Sequence, residues 1–245
     1  MTPPAATGKQ AARTPAGQAR EKILATAFRL FYAQGLRAAG IDTIIAESGV
    51  AKATFYKYFP AKDDLILAYL EKVDGVWTGQ LHAAAEAAGS DPAARLVGLF
   101  DALTSACRRD GYRGCAFINA AAESASGTRV HERTVAHKEN VRTWIRGLAE
   151  EAGAPDPDQL ARGLTLVLDG GLASGVLDAD PAAAIAARDT AALLVAASVG
   201  RPAAPGGTEL RPDIRAFVVN GRRTLDKSRG PQGINPSRPA RDDIS

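Results

Sequence analysis

The sequence predicts an all-α protein in which a small N-terminal head is joined to a larger helical body. Between residues 18 and 200, alanine and leucine are abundant, β-branched residues form few runs, and apolar residues recur at intervals of three and four. Glycine or proline marks the breaks between the predicted helices. The stretch from Gly49 to Phe59, rich in lysine and aromatic residues, follows a short helical pattern and is typical of the second half of a helix-turn-helix.

Three helices are predicted for the head. The first two are expected over about 18–34 and 42–47, because apolar residues fall on one face of each and glycine follows as a stop signal. Gly49 supplies the tight turn before the third helix. Phe55 and Phe59 lie four residues apart on that helix and can close a small apolar core.

A fourth helix is expected from Lys62 to about Ala88, where it would join the head to the body. The remaining helices are predicted over residues 91–107, 115–124, 128–153, 157–177 and 181–198. No stretch approaches the roughly 20 uninterrupted apolar residues that span a bilayer, so no membrane partner is expected. Two cysteines without a CxxC motif fit a reducing compartment, and a cytoplasmic location is expected.

Charge is divided unevenly along the chain. The net charge is +5 over residues 1–60, −6 over residues 61–200 and +4 over residues 201–245. A basic head on an acidic body indicates that the head alone faces a polyanion, because the body would be repelled by phosphates.

These observations divide the chain into four segments. Residues 1–17 form a basic arm and residues 201–245 a basic tail. Both are predicted to be disordered because they lack apolar periodicity, and the tail holds six prolines and five glycines. Residues 18–78 are the helix-turn-helix domain, with its motif at about 41–60, and residues 79–200 are the helical body.

The third helix is expected to bury its apolar side chains and present its polar ones to DNA. Lys52 is long enough to donate to guanine acceptors, and Thr54 can bond a phosphate or a base edge while its methyl group meets thymine. Tyr56, Thr43 and Lys62 are expected to clamp phosphates. The candidate DNA contacts are Thr43, Lys52, Ala53, Thr54, Tyr56, Lys57, Tyr58 and Lys62. The alternative for each lysine is a solvated charge.

A set of residues between 20 and 70 also carries a family resemblance. It comprises Phe31, Gly35, Ile44, Gly49, Val50, Lys52, Thr54, Phe55, Tyr56, Tyr58, Phe59, Lys62 and Leu65. This pattern resembles the N-terminal domain of TetR-family transcriptional regulators, and the segment from Gly114 to Glu123 is similar to one found in a group of them. The resemblance implies a DNA-binding head, a ligand-binding body, homodimerisation and a palindromic operator that an effector usually relieves.

The helix caps of the head depart from the commoner pattern of that family. Gly40 stands where Ser or Thr often caps the second helix, and Ala51 stands where Ser usually begins the third. We expect Asp42 to cap a slightly later start of the second helix, whereas the third helix has no evident substitute.

The body contains candidates for lining an effector cavity. Ligand cavities are mostly apolar with a few placed polar groups. The candidates are Trp77, Phe100, Leu103, Cys107, Tyr112, Phe117, Asn119 and Trp144. The alternative is that the aromatic residues are simply core. Asn119 lies in an otherwise apolar helix, and a buried amide there would need a partner.

No cofactor, metal or catalytic residue is expected. Cys107 and Cys115 do not lie in a recognisably electropositive setting, so an oxidant-sensing pair is disfavoured. His131, Glu132 and His137 lack the spacing that places both histidines on one helix face, and a solvated polar face is expected instead. The sequence supplies no nucleophile and base pair and no phosphate-binding glycine loop.

An apolar stripe with small residues runs along the predicted helix over 157–177 and continues on the next one. Its members are Leu160, Leu164, Val167, Leu168, Gly171, Leu172, Gly175, Ile185, Ala192, Leu193 and Val195. Small residues let helices approach closely, so two such helices from each protomer could form a four-helix subunit interface. The alternative is packing within one chain.

The sequence therefore predicts a homodimeric, ligand-responsive transcriptional regulator without catalytic activity. The specific expectation is a repressor that binds a palindromic DNA operator and is released by a small-molecule effector. Two alternatives stay open: an architectural DNA binder that tolerates many sequences, and a small-molecule carrier or enzyme that uses the helical body.

Overall fold

The computed structural model describes residues 15–177 and 182–199, and all regular secondary structure in these ranges is helical. The helices are α1 (Pro15–Gln34), α2 (Ile41–Ser48), α3 (Lys52–Tyr58), α4 (Lys62–Ala87), α5 (Pro92–Gly98), α6 (Asp101–Cys107), α7 (Ala116–Glu123), α8 (Arg129–Glu151), α9 (Pro157–Leu177) and α10 (Ala182–Ser198). The all-α prediction is confirmed.

The predicted tail, 201–245, and most of the predicted arm lie outside the described residues. The last residues assigned to the arm are helical, because α1 begins at Pro15 and not at Gln18. Proline is favoured in the first turn of a helix, where its missing N–H would have no intrahelical acceptor.

The head is a three-helix unit closed by apolar side chains. Ile23 of α1, Ile44 of α2 and Phe55 of α3 are fully buried together. Gly49 ends α2 in the left-handed region at φ 66°, which produces the predicted turn into α3. The rings of Phe55 and Phe59 lie 6.1 Å apart, as the four-residue spacing predicts.

The prediction that Asp42 caps α2 is wrong. The helix begins one residue earlier, after Gly40, and no side chain caps it. Asp42 lies within the first turn, where its carboxylate is 3.6 Å from the Lys52 ammonium. The third helix begins after Ala51 without a side-chain cap, as expected.

α4 leads from the head into the body. Its start is fixed by Asp64, whose carboxylate accepts a hydrogen bond from the backbone N–H of Ala61 at 3.1 Å. Along its length α4 contacts α1, α5, α6, α7 and α8. Tyr69 is buried against the edges of the Phe28 and Phe31 rings, each 5.5 Å away, and so fixes α4 on α1.

The single helix predicted over 91–107 is two helices, α5 and α6. Between them the backbone hydrogen bonds join residues three apart instead of four, as where the N–H of Phe100 donates to Val97 O at 3.2 Å. Gly98 is buried where a Cβ would overlap the Cβ of Ala88 and lie 3.2 Å from Ala84 O. This close approach to α4, together with burial of Leu99 and Phe100, bends the chain at Gly98, a glycine that the sequence analysis did not treat as a break.

α9 lies between α8 and α10, and its apolar stripe is used mainly inside the protomer. The subunit-interface prediction is wrong for most of the stripe, because Leu160, Leu164, Leu168, Gly171, Leu172, Gly175 and Val195 are buried within the chain. Its glycines serve close packing: a Cβ on Gly171 would lie 2.5 Å from Leu103 Cδ2, and one on Gly175 would lie 2.6 Å from Cys107 Sγ.

Two members of the predicted stripe, Ile185 and Leu193, remain exposed on α10, and two further leucines are exposed on α9. Leu166 and Leu177 on α9, and Ile185 and Leu193 on α10, are between 50% and 82% exposed.

Among the described residues, α9 is the only helix long and apolar enough to cross a membrane. Of the apolar stretch that meets this test, 44% is buried in the protein. Packing against α8 and α10 therefore accounts for much of its composition.

Candidate DNA-binding helix and ligand cavity

The surface of α3 divides only partly as the sequence predicts, because Thr54 and Tyr58, which were expected to be exposed, are half-buried. Phe55 is fully buried and anchors the helix, while Lys52, Ala53, Tyr56 and Lys57 are exposed. The Tyr56 ring meets the edge of the Phe55 ring at 5.3 Å and keeps 40% of its surface exposed. A rigid, apolar inner face thus presents a basic and aromatic outer face, as a recognition helix requires.

The remaining candidates around α3 differ in exposure. Thr43, in the first turn of α2, is exposed, whereas Thr54 and Tyr58 are half-buried. Tyr58 also packs against the apolar core. The ion pair between Lys52 and Asp42 joins two highly exposed side chains, so its contribution to stability is small and Lys52 can exchange it for a phosphate or base acceptor.

Lys62 points toward the protein and not only toward solvent. Its ammonium donates to the carbonyl oxygen of Arg37, between α1 and α2, at 3.2 Å. Burial lowers the pKa of Lys62, and the nearby carboxylates of Glu123 and Asp63 oppose that shift. The sequence placed Lys62 among the phosphate clamps, and the structure places its amine at the junction of head and body.

Glu123, the last residue of α7, fastens the body to the loop between α1 and α2. Its carboxylate accepts a hydrogen bond from the backbone N–H of Arg37 at 2.7 Å, and its carbonyl oxygen accepts one from Arg37 Nε at 3.0 Å. Gly35 permits this approach, because a Cβ there would lie 2.7 Å from Glu123 Oε1 and its φ is +92°. Sequence reasoning did not single out this contact, since the partners are 86 residues apart.

A cavity of about 230 Å³ lies where α1, α4 and α7 meet the end of α6. Five aromatic rings line it, from Phe28, Tyr32, Trp77, Tyr112 and Phe117. Its aliphatic wall includes Val73, Val76 and Leu172, and its polar side chains are Gln80, Arg109 and Asp110. This combination of apolar walls and a few polar groups is typical of a small-molecule site.

Three of the candidate cavity residues, Trp77, Tyr112 and Phe117, do line this space. Tyr112 is fixed there because its hydroxyl donates to the carbonyl oxygen of Leu172 at 2.9 Å. Sequence reasoning missed Phe28 and Tyr32, because the first helix was assigned wholly to the head. Their spacing of four residues places both rings on one face of α1, and this pattern could have indicated that they line a common space.

The other five candidates lie elsewhere. Phe100 and Leu103 are fully buried in the core, and Trp144 stacks on His82 with ring centroids 4.2 Å apart. Asn119 is exposed, which corrects the expectation of a buried amide, and its side chain donates to Arg113 O at 2.9 Å. Cys107 is half-buried beside the cavity and is not part of its lining.

The thiols have surroundings that disfavour reactivity. Cys115 is buried in the cavity wall. Burial raises the pKa of the Cys107 thiol, and a hydrogen bond with Tyr112 opposes that shift only partly. A raised thiol pKa lowers the fraction of nucleophilic thiolate at neutral pH.

His137 is buried, which contradicts the expected solvated polar face. It is 1% exposed, and its Nδ1 donates to Asp74 Oδ1 at 2.7 Å. Burial lowers the pKa of His137 and outweighs the opposing effect of the Asp74 carboxylate. Burial disfavours ionised Asp74 as well, but hydrogen bonds from Arg133, His137 and Thr78 leave its pKa below the usual value.

This buried cluster supports one wall of the cavity. The rings of His137 and Phe117 are stacked, with centroids 3.5 Å apart and planes 8° from parallel, and the Arg133 guanidinium lies 5.7 Å from the centre of the Phe117 ring. Residues 15–177 and 182–199 contain no group of three or more His, Cys, Asp or Glu arranged to hold a metal ion.

The helix-turn-helix of the head and the cavity beside it define a class, that of helix-turn-helix DNA-binding proteins with a helical body. Residues 23–69 match the family described as bacterial regulatory proteins, tetR family. A TetR-family transcriptional regulator from Streptomyces coelicolor is 33% identical and superposes with a TM-score of 0.70, over 74% of this chain and 96% of its own. This chain belongs to the TetR family of transcriptional regulators.

Other similar proteins carry narrower information. A TetR transcriptional regulator from Chloroflexus aurantiacus shares the fold, with a TM-score of 0.67 and 23% identity over 75% of this chain and 97% of its own. EthR from Mycobacterium tuberculosis is 39% identical over 67 residues, which are 27% of this chain and 31% of EthR. The activator FasR from Mycolicibacterium smegmatis is 35% identical over 77 residues, which are 31% of this chain and 35% of FasR. The chain thus spans about a third of these two curated relatives, of which EthR is named as a transcriptional regulator and FasR as a transcriptional activator.

Proposed function

We propose that this protein is a ligand-responsive transcriptional repressor that binds a palindromic DNA operator as a homodimer and is released by a small-molecule effector. The observation that carries the proposal is the position of α7. Ala116 and Phe117 at its start line the cavity, and Glu123 at its end holds the loop before α2. An eight-residue helix is about 12 Å long, so one short rigid element joins the ligand site to the DNA-binding head.

DNA binding is proposed for the exposed side of α3 and its surroundings. Lys52 and Thr54 would read base edges, with Ala53 close to the groove floor. Lys57, Tyr58, Tyr56 and Thr43 would contact the backbone and set the register of the head on the duplex. Lys62 would join them only by leaving the carbonyl of Arg37, so its contact depends on how the head sits on the body.

The proposed ligand response depends on a displacement of α7 when the ligand enters the cavity. A ligand that fits the cavity only when Phe117 shifts would move α7 and weaken the hold of Glu123 on Arg37. Such a ligand favours the head orientation that binds DNA poorly, and it can shift that equilibrium only by its difference in affinity for the two states. Release from the operator is the expected result in a cytoplasmic regulator of this kind.

Dimerisation is proposed through the exposed apolar face of α9 and α10. Leu166, Leu177, Ile185 and Leu193 leave water if two copies pack these helices together as a four-helix bundle. A two-fold arrangement would present two copies of α3 to successive major grooves about 34–36 Å apart. The operator would then be palindromic, with half-sites separated by about one helical turn.

The testing experiment is selection of bound duplexes from a random library by the full chain at near-physiological salt. A palindrome with half-sites about one turn apart is expected, bound about 10³-fold or more tightly than random DNA. Recovery of DNA without a consensus, together with a steep salt dependence, would favour an architectural binder instead. No DNA binding by the folded protein would favour a ligand carrier or an enzyme.

A further inference from the structure

We infer that the cavity takes a small planar aromatic anion, of which a one- or two-ring aromatic carboxylate is the simplest form. This inference names the ligand class of the effector site and rests on the proposed function for its regulatory meaning. Binding itself can be measured without DNA.

The size of the cavity limits the ligand. A cavity of 150 Å³ lined by apolar side chains holds one benzene ring, and the present volume of about 230 Å³ is about one and a half times as large. One substituted ring or two fused rings fill that space. The space is partly open to solvent, so a long acyl chain or a multi-ring macrocycle would leave much of its surface outside these walls.

The walls determine the body of the ligand. Five aromatic side chains face the space, and flat apolar rings pack on them by offset stacking or edge contacts. The Tyr112 hydroxyl already donates to Leu172 O at 2.9 Å, whereas the Tyr32 hydroxyl accepts from the backbone N–H of Arg113 at 3.0 Å and keeps its own O–H as a donor. A ligand body with several polar groups would lose its water with few partners in the wall to replace it, which is costly.

The polar side chains of the lining determine the charge of the ligand. Arg109 donates to Gln80 Oε1 at 2.7 Å, and no carboxylate forms an ion pair with Arg109 in the part of the chain that is described. Gln80 is neutral, so the guanidinium charge is not offset at that contact. A carboxylate is the natural ligand for such a group because the guanidinium fork can donate to both of its oxygens.

Asp110 is the one acidic side chain in the lining, and it would favour a cation. The segment from 108 to 113 contains three arginines, Arg108, Arg109 and Arg113, against that one aspartate. The net charge of this segment is therefore +2. Of its charged residues, only Arg109 and Asp110 line the cavity, so an anion placed at Arg109 is favoured by that guanidinium and opposed by Asp110.

The probes for the test are 2-naphthoate, its neutral amide 2-naphthamide and the cation 2-naphthylmethylammonium, each titrated into the full chain by calorimetry. We expect 2-naphthoate to bind most tightly. Arg109→Met removes the charge and keeps the aliphatic stem, and it should weaken 2-naphthoate roughly tenfold or more while changing the amide little. Arg108→Met is the matched control, because Arg108 and Arg109 are both exposed but only Arg109 lines the cavity, and it should change the affinity much less. Asp110→Asn should strengthen 2-naphthoate binding.

The position of the bound ligand is tested through tryptophan fluorescence. The protein has two tryptophans, of which Trp77 lines the cavity and Trp144 stacks on His82. In a Trp144→Phe background, the non-fluorescent quencher 4-nitrobenzoate should quench Trp77, and 2-naphthoate should compete with it for binding. Unchanged thermal unfolding would show that each variant is folded.

Tighter binding of the cation, or no binding of any probe by the folded chain, would overturn the inference. Equal loss of 2-naphthoate in Arg108→Met and Arg109→Met would also overturn it, because the effect would then be general charge. The two experiments test the ligand class and the proposed function separately. If a palindromic operator is recovered but no probe binds, only the proposed ligand class is rejected. If a probe binds but no operator is recovered, only the proposed role as a regulator is rejected.

Discussion

The carboxylate of Glu123 accepts a hydrogen bond from the backbone N–H of Arg37 at 2.7 Å, across the boundary between body and head. A second hydrogen bond runs from Arg37 Nε to the carbonyl oxygen of Glu123, and the Lys62 ammonium donates to the carbonyl oxygen of Arg37. The backbone of one loop residue is therefore held by α7 and by the start of α4. If the proposed ligand response is correct, we expect movement of either helix to reach the segment that precedes α2 through these hydrogen bonds.

Replacing Glu123 should separate ligand binding from DNA binding. Glu123→Ala removes the carboxylate acceptor, so we expect the effector-induced change in operator affinity to fall toward unity, from a coupling that is typically about 5- to 150-fold. The measurement is operator affinity with and without saturating 2-naphthoate. Glu139→Ala, an exposed change on α8, is the control. Wild-type coupling in Glu123→Ala would show that α7 acts through another contact.

Changes on α3 should distinguish base reading from phosphate contact. Lys52→Ala should weaken binding to the selected operator by about 1–3 kcal/mol and relax its base preference. Tyr56→Phe should weaken binding to all sequences alike if its hydroxyl contacts a phosphate. The measurements are affinities for operator and random duplexes over a range of salt. Lys72→Ala, on the exposed side of α4, is the control, and a loss equal to that of Lys52→Ala would contradict the assignment.

The stability of the fold should depend on His137 in mildly acidic solution. The folded pKa of His137 lies below its ordinary value of 6.5 because the ring is buried, whereas the unfolded chain titrates near 6.5. Below about pH 6.5 the unfolded chain therefore binds the proton more readily, and the free energy of unfolding falls by up to about 1.4 kcal/mol per pH unit until the folded pKa is reached.

Denaturant unfolding at pH 7 and pH 5.5 measures this dependence. His137→Gln should reduce the pH dependence, since the amide does not titrate and can still donate to Asp74. His131→Gln is the control, because His131 is not buried. An unchanged slope in His137→Gln would assign the acid sensitivity to other groups.

Two glycines should respond oppositely to the same substitution. Gly98→Ala should destabilise the protein by about 1–3 kcal/mol, because the new Cβ overlaps Ala88 and the backbone of α4 must shift. Gly79→Ala, on the exposed face of α4 with no atom within 4 Å of the new Cβ, should stabilise by up to about 1 kcal/mol through helix propensity. Thermal or urea unfolding measures both, and destabilisation by both would refute the packing explanation.

The subunit interface can be tested on the exposed leucines. Leu166→Asp with Leu193→Asp places charges on the apolar face of α9 and α10, so we expect the dimer to dissociate while the protomer stays helical. Light scattering coupled to gel filtration measures the mass. Val135→Asp, on exposed α8, is the matched control and should leave the mass unchanged. A doubly substituted protein that remains dimeric would place the interface elsewhere.

Local patterns were sufficient for most of the helices. Gly49 and the four-residue spacing of Phe55 and Phe59 predicted the turn and the buried face of α3, because a left-handed turn and helical periodicity are properties of short segments. The bounds of α9 were predicted for the same reason, since proline opens it and its stripe repeats regularly. The break between α5 and α6 was missed because it arises from the approach of Gly98 to α4, which is not visible in local sequence.

The cavity, like the helices, was only partly predictable from local sequence. Trp77, Tyr112 and Phe117 were recognised as apolar residues of the body, but their grouping with Phe28 and Tyr32 depends on how α1 packs across α4. The sequence placed the stripe of α9 at a subunit interface, and packing instead buried most of it against α6, α8 and α10.

The sequence by itself determined the helical class, the helix-turn-helix head and the basic, aromatic face of α3, because these follow from periodicity, turn residues and charge within short segments. Only the tertiary structure decided that His137 is buried on Phe117, that Arg109 lies in the cavity lining and that Glu123 holds Arg37. Those contacts join residues far apart in the chain. They exist because close packing of helices fixes which side chains meet, and no local pattern encodes that outcome.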